Sequence, residues 1–345
     1  MNANNNQGWI SALTSNLPLV DVVTGASAVT RATRASTSAA QQTQAPRDTF
    51  AMPNLHVGRG YRYGNLDWYP IWSDAETTKR DYITEAAGDT IRISELAEPN
   101  VGWLEVTNTG TKDLVILEGT FIEAGFQHRA LVNTVVIAAG ETRQVHVVCI
   151  ERGRWGGAHG QQLGSRRAPA KVRGALRGIR TTNRGAIQGT ADQGEVWAKV
   201  AEYGRNLNRH NQTESLVEMR NGLDAEAKLP KVRALAGQIG VLIAIGGHPI
   251  ALEVFDHPKT LAERLDSIVA SYLPDSATVA YQATPGYRVR AFVQKAGSKK
   301  LQVIEQSTTA VNLPDALIAT QAKVHKNRLL HISTLNAKHE LVLAA

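Results

Sequence analysis

WLEVTNTGTKDLVILEGTFIEAGFQHRALVNTVVIAAGETRQVHVVCIERGRW, residues 103–155, is the densest run of strand signals in the chain. Residues 101–106 and 114–117 are apolar and rich in β-branched side chains. Between them Asn108-Thr109-Gly110-Thr111 supplies a turn with a glycine for positive φ. Residues 130–138 and 143–150 repeat the arrangement around Ala139-Gly140-Glu141. The pattern predicts two hairpins in tandem, joined by residues 118–129. In the last strand Val145, Val147, Cys149 and Glu151 alternate onto one face, and His146, Val148 and Ile150 onto the other. Apolar residues on both faces predict a strand covered on both sides.

The polar residues of this stretch fall where strands end. Gln127-His128-Arg129 lies between the hairpins, and Glu151-Arg152-Gly153-Arg154-Trp155 follows the last strand. Guanidinium forks suit phosphate, an indole suits stacking and a carboxylate suits ribose hydroxyls. Gln127, Arg129, Glu151, Arg154 and Trp155 are therefore the candidate ligand-binding set. The competing reading makes them surface ion pairs and turn residues. For catalysis the residues to weigh are Glu151, His331 and Cys149, with no assigned reaction. Cys149 sits in a Val-rich strand, where a thiol is poorly ionised. Glu151 beside Arg152 and Arg154 suits orientation better than proton abstraction. The ten histidines are scattered and no metal-ligand spacing occurs, so no metal and no cofactor are expected.

Several blocks carry a resemblance. Asn108-Thr109-Gly110, residues 115–119, Gly125-Phe126-Gln127-His128-Arg129, residues 135–140 and the run 148–155 (VCIERGRW) resemble the ARG (ADP-ribosylglycohydrolase) and Rhodanese-Phosphatase-superfamily-associated protein domain family. The resemblance runs over about 56–336 and departs from the family pattern at Gly119-Thr120, His128 and Val148. It implies no agreed activity. By association it implies a role near ADP-ribose, NAD-derived or other phosphorylated nucleotides.

Charge is concentrated. Residues 152–184 hold nine Arg and Lys and no acid, against a net charge of +7, so the remainder carries −2. Such a segment funnels a phosphorylated metabolite or binds a polyanion, or else is a solvated Arg/Gly-rich loop. Aromatic residues are sparse in it, which disfavours a nucleic-acid stacking platform. One cysteine fits a reducing compartment, no apolar run spans a bilayer, and the N-terminus lacks the basic and apolar regions of a secretory signal. A cytoplasmic protein without membrane contact is expected.

Residues 1–50 are rich in Asn, Gln, Ser, Thr and Ala and read as a mostly disordered arm, with 9–23 apolar enough to meet a protein partner. Residues 51–340 read as one α+β domain: β-rich over 56–155, a basic loop over 156–190, helical over 191–236 and β/α/β over 237–340. Helices are predicted at 81–88, at 191–207 with Asp192 as cap, at 213–229, and after Asp256 as cap with a Leu261, Leu265, Ile268, Val269, Tyr272 stripe. Residues 239–245 and 250–255 predict a hairpin around Gly246-Gly247, and 287–295 and 301–306 predict further strands. The fold class is α+β, tandem β-hairpins forming strand-rich layers with two or three inserted helices. The lead function is binding, with or without processing, of an ADP-ribose-like or other phosphorylated nucleotide. The alternative is a non-enzymatic interaction module whose segment 152–184 binds a partner protein or nucleic acid.

Overall fold

A computed structural model describes residues 47–343, apart from 78, 86 and 87. The predicted arm over 1–50, except 47–50, and the apolar segment 9–23 lie outside the described residues. The chain begins β1 (Thr49–Ala51), β2 (Leu55–Val57), β3 (Tyr61–Tyr63), β4 (Leu66–Ser73), β5 (Tyr82–Ile83), β6 (Ile91–Ser94) and β7 (Trp103–Asn108). It continues β8 (Asp113–Ile116), β9 (Thr120–Ala124), β10 (Arg129–Leu131), β11 (Val135–Ile137), β12 (Thr142–Cys149) and β13 (Gly160–Arg167). Next come α1 (Ala170–Leu176), β14 (Arg180–Thr182), β15 (Gly185–Ile187), α2 (Gln193–Asn206), α3 (Leu216–Arg220) and α4 (Asp224–Ala227). Then follow β16 (Gly240–Ile245), β17 (His248–Phe255), α5 (Pro258–Ser271), α6 (Leu273–Ser276) and α7 (Gly286–Gly297). The last strands are β18 (Lys300–Val303), β19 (Thr309–Asn312), β20 (Ile318–His325) and β21 (Arg328–Asn336).

The fold is strand-rich α+β. Among the described residues, the order β1-β18-β19-β20-β21-β17-β16-β4-β2, with β3 also on β4, makes a ten-stranded antiparallel sheet. Strands β10-β12-β7-β6-β13-β9 close into a barrel, and β11-β8-β5 form a small sheet. Leu114, Ile116 and Ile137 of the small sheet share one apolar cluster with Leu104, Val106 and Val147 of the barrel. Helix α5 lays its predicted stripe on one face of the large sheet, and α7 packs on the other. Helices α1, α2 and α3 cover the outside of the barrel through Val172, Val196 and Leu216. No helix among the described residues is long and apolar enough to cross a membrane.

Several expectations are corrected. The tandem hairpins do not form as drawn: β7 pairs with β6 and β12, whereas β8 pairs with β5 and β11. The chain changes sheets at Asn108, whose side-chain amide donates to the carbonyls of Lys112, Ile137 and Ala138. Residues 287–295 are helix α7, not a strand. Val289, Phe292, Val293 and Ala296 stand at i, i+3, i+4 and i+7, so the β-branched and aromatic residues form a helical stripe. Residues 213–229 hold two short helices, separated where Gly222 takes φ +71°. Within 81–88, Tyr82–Ile83 is a strand. His257, not Asp256, caps α5, and Asp256 instead bonds Tyr82 and Arg328. The helices outnumber the two or three expected.

The largest correction concerns the basic loop of 156–190. That stretch is β13, α1 and the β14–β15 ribbon. Arg167, Lys171, Arg173 and Arg177 are buried within it. Their carboxylates are distant in sequence. Arg173 Nε donates to Glu118 Oε1 at 2.9 Å, and its Nη2 stands 2.7 Å from Glu253 Oε1. Arg177 Nη2 donates to Glu118 at 2.6 Å and Arg167 Nη1 to Glu253 at 3.2 Å. Ser333 Oγ accepts from both Arg173 and Arg177. Glu118 occupies the turn before β9, where Gly119 takes φ +75°, and Glu253 lies on β17 of the large sheet. The network therefore ties the β8–β9 turn and α1 to the large sheet.

Burial pushes the Glu118 carboxyl up, but the three guanidiniums outweigh it and hold it at about 2 against an ordinary 4.5. A depressed folded value means this stabilisation is complete above pH 4.5 and is lost as pH falls toward 2. Its size is on the order of 3 kcal/mol. Denaturant unfolding at stepped pH should show that acid limb, and Glu118→Gln should flatten it while lowering stability at neutral pH. An acid limb of unchanged slope in the variant would contradict the assignment.

Candidate functional site

Barrel strands point alternate residues inward. Ile93, Leu104, Val106, Ile122, Leu131, Val145 and Val147 fill the interior. Two residues further toward one end, the same parity brings Glu95, Arg129 and Gln161. They form a buried polar layer. Glu95 Oε1 accepts from Arg129 Nη2 at 3.3 Å and from Gln161 Nε2 at 2.7 Å. Arg129 Nη1 also donates to the carbonyls of Asn100 and Val101. Glu95 Oε2, Arg129 Nε, Gln161 Oε1 and nearby Gln127 Oε1 are buried without a hydrogen-bond partner. Burial lowers the Arg129 guanidinium, and Glu95 opposes that.

Above this layer lies the rim. Arg129 pairs with Cys149 across β10 and β12, which sets residues 127 and 128 beside Glu151. Arg154 clamps Glu151 with two bonds, Nε to Oε1 at 2.9 Å and Nη2 to Oε2 at 2.7 Å. The His128 amide donates to the same carboxylate at 2.9 Å, and Gln127 Nε2 donates to the Glu151 carbonyl at 3.2 Å. Burial pushes the Glu151 carboxyl up, but Arg154 and the His128 amide prevail and hold it below its ordinary value. Gly125 takes φ +62° here, and a Cβ there would meet the Gln161 side chain at 2.3 Å.

Aromatic groups finish the mouth. Trp155 is 52% exposed. Phe126 meets it edge-on at 5.7 Å, and His159 lies 5.1 Å from Phe126. The Arg129 guanidinium stands 5.6 Å from the Trp155 ring centroid. Trp103, also exposed, stacks on His146 at 5.1 Å near the start of β7.

All five predicted ligand residues thus meet at one barrel mouth, but not in the roles first drawn. Glu151 is buried and clamped by Arg154, so it positions that guanidinium and does not offer itself to ribose hydroxyls. Cys149 is fully buried and its thiol donates to the Glu151 carbonyl at 2.8 Å. Burial pushes that thiol up. His331 lies elsewhere, in the core network. Its Nε2 meets Glu253 Oε2 at 3.0 Å and its Nδ1 meets Thr134 Oγ1 at 2.9 Å. A carboxylate only accepts, so Nε2 carries the proton and Nδ1 accepts from Thr134. Burial keeps this imidazole below its ordinary value.

Glu95, Gln161, Phe126 and His159 also belong to the mouth and lie outside the five residues expected there. Glu95 was within reach, because it continues the Ile91, Ile93 alternation. His128, Glu151 and Glu218 bring ligand atoms within 4.8 Å of one another, a spacing that would suit a metal. Both Glu151 oxygens, however, already accept from Arg154, which supplies their counter-charge.

The chain belongs to the ARG and Rhodanese-Phosphatase-superfamily-associated Protein domain family, whose model matches residues 54–335. No curated protein and no solved structure matches it.

The surroundings of Cys149 make it a packing residue. A chromogenic disulfide reagent should react with the native protein only at the rate at which the structure opens, and at once in denaturant. Immediate reaction of the folded protein would overturn that assignment.

Proposed function

We propose that the barrel mouth binds a planar, anionic small molecule of the phosphorylated-nucleotide class, ADP-ribose-like in having an aromatic base and a phosphate. One observation carries the reading: an exposed Trp155 rests on Phe126 and over Arg129, beside an Arg154 fork fixed by Glu151. A base stacks on the indole face, a contribution of about 1–3 kcal/mol in other proteins. Arg154, whose Nε and Nη1 protons and one Nη2 proton go to Glu151 and to the carbonyls of Gly125 and Gly156, turns its remaining Nη2 proton and its charge to the phosphate. Gln127, Glu151 and the Glu95–Arg129–Gln161 layer hold these groups in place and exclude water beneath them. The family's stated association with ADP-ribosylglycohydrolase and rhodanese-phosphatase superfamilies supports the same ligand class.

Charge placement favours this reading over the polyanion-binding alternative. Of the cations between 152 and 184, Arg167, Lys171, Arg173 and Arg177 are buried. Arg152, Arg180 and Arg184 remain exposed, a sparse face for a nucleic-acid backbone.

Thermal-shift titration with ADP-ribose, NAD, nicotinamide mononucleotide and ribose 5-phosphate tests the proposal. A ligand near 100 times its Kd should add about 2.7 kcal/mol of stability. Trp155→Ala should weaken it by roughly tenfold or more while leaving the fold intact. Absence of a shift with every ligand, or an undiminished shift in Trp155→Ala, would refute it.

A further inference from the structure

A second enclosed space lies at the opposite end of the barrel. Its wall is formed by α5, by the irregular part of β13 between Leu163 and Arg167, by the start of β9 and by Thr84 after β5. From Thr120 in this space to Ala124 at the mouth is about 13 Å along β9. Its polar lining is Arg167, Arg264, Thr84, Thr120, Ser165 and Ser267, and no carboxylate lines it among the described residues.

Two features of that lining point to an anion. First, two guanidiniums face one space. Arg167, with a 3% exposed side chain, pairs with Glu253 through Nη1 at 3.2 Å but keeps Nη2 without a hydrogen-bond partner, 3.6 Å from Glu118 Oε1. Arg264 Nε is likewise buried and unpartnered, while its Nη2 donates to the Thr84 carbonyl and stands 3.6 Å from Glu85, which is itself exposed. Burial lowers the Arg264 guanidinium, Glu85 and Glu263 raise it, and Arg167 and Arg80 lower it again. Like charges therefore confront each other there. Second, the remaining polar lining consists of hydroxyls; Ser267 Oγ donates to the Arg264 carbonyl and Thr84 Oγ1 to Glu263, which leaves those of Thr120 and Ser165 to donate to an oxyanion. The space is small, so it admits at most a single oxyanion group and not a whole nucleotide.

We propose that this α5–β13 cavity is an anion site for one small oxyanion group, a phosphate or a carboxylate, held between Arg167 and Arg264 with hydroxyl help from Thr120 and Ser165. Arg167 also donates to Glu253, so an anion here bears on the network that joins the barrel to the large sheet. The site is separate from the mouth and stands whether or not the mouth binds nucleotides.

The test uses the full chain and inorganic phosphate, sulfate and acetate, each against chloride at constant ionic strength. Melting temperature should rise with at least one oxyanion and not with chloride. Phosphate and sulfate acting without acetate assigns a tetrahedral anion, and acetate acting alone assigns a carboxylate. Arg264→Gln should raise the apparent Kd roughly tenfold, the loss of one charge-assisted contact. Ser267→Glu places a tethered carboxylate one helical turn from Arg264, and its melting temperature should no longer respond. If Arg264→Gln does not fold, Ser267→Glu decides. Trp155→Ala should keep the full response, which separates this site from the mouth. Equal responses to oxyanions and chloride, or an undiminished response in Ser267→Glu, would overturn the proposal.

Discussion

Arg173 stands between two buried carboxylates, Glu118 from the β8–β9 turn and Glu253 from the large sheet. Neither carboxylate is tolerable in the core alone, because each ion taken from water costs several kcal/mol. With Arg167 and Arg177 added, three guanidiniums face two carboxylates, and His331 joins as a neutral donor to Glu253. The contacts have direction as well as charge. A shift of α1 by one residue would carry Arg173 and Arg177 away from Ser333 and Glu118 together. The network thus specifies how the barrel seats on the sheet, whatever its net contribution to stability.

The mouth of the barrel depends on that seating only indirectly. Its polar layer replaces apolar filling where the β6, β10 and β13 ends converge, and it forms a floor for Arg154 and Trp155. A glycine at 125 lets the chain turn tightly over Gln161. Buried ion pairs hold both the joint and the mouth. In the joint every guanidinium is enclosed, whereas at the mouth Arg154 and Trp155 remain in reach of solvent. That difference marks the mouth, and not the joint, as the surface proposed for a nucleotide.

What could be read in advance follows from the range of the interactions. Local signals were legible. Asp192 does cap α2, accepting from the Glu195 amide, and the α5 stripe packs as its spacing requires. Residues 240–255 do pair through β16 and β17. The convergence of Gln127, Arg129, Glu151 and Trp155 was also legible, because strand ends next to one another in a pairing pattern must meet. Long-range pairing was not. The charges on α1 look solvated in a stretch without acids, since Glu118 and Glu253 enter from 55 or more residues away. The corners at Asn108 and Gly140 look like hairpin turns locally, and only the partner strands show that the chain switches sheets there. The α7 stripe was misread because Val and Phe serve a helix face as well as a strand when a sheet covers them.

The central claim is that Glu118 and Glu253 act as one unit through Arg173. A double-mutant cycle of Glu118→Gln and Glu253→Gln, read as unfolding free energy at neutral pH, tests it most directly. The account predicts a coupling of about 0.5–3 kcal/mol between the two sites. Effects that add to within about 0.3–0.5 kcal/mol would show that the barrel and the sheet are held together by something else.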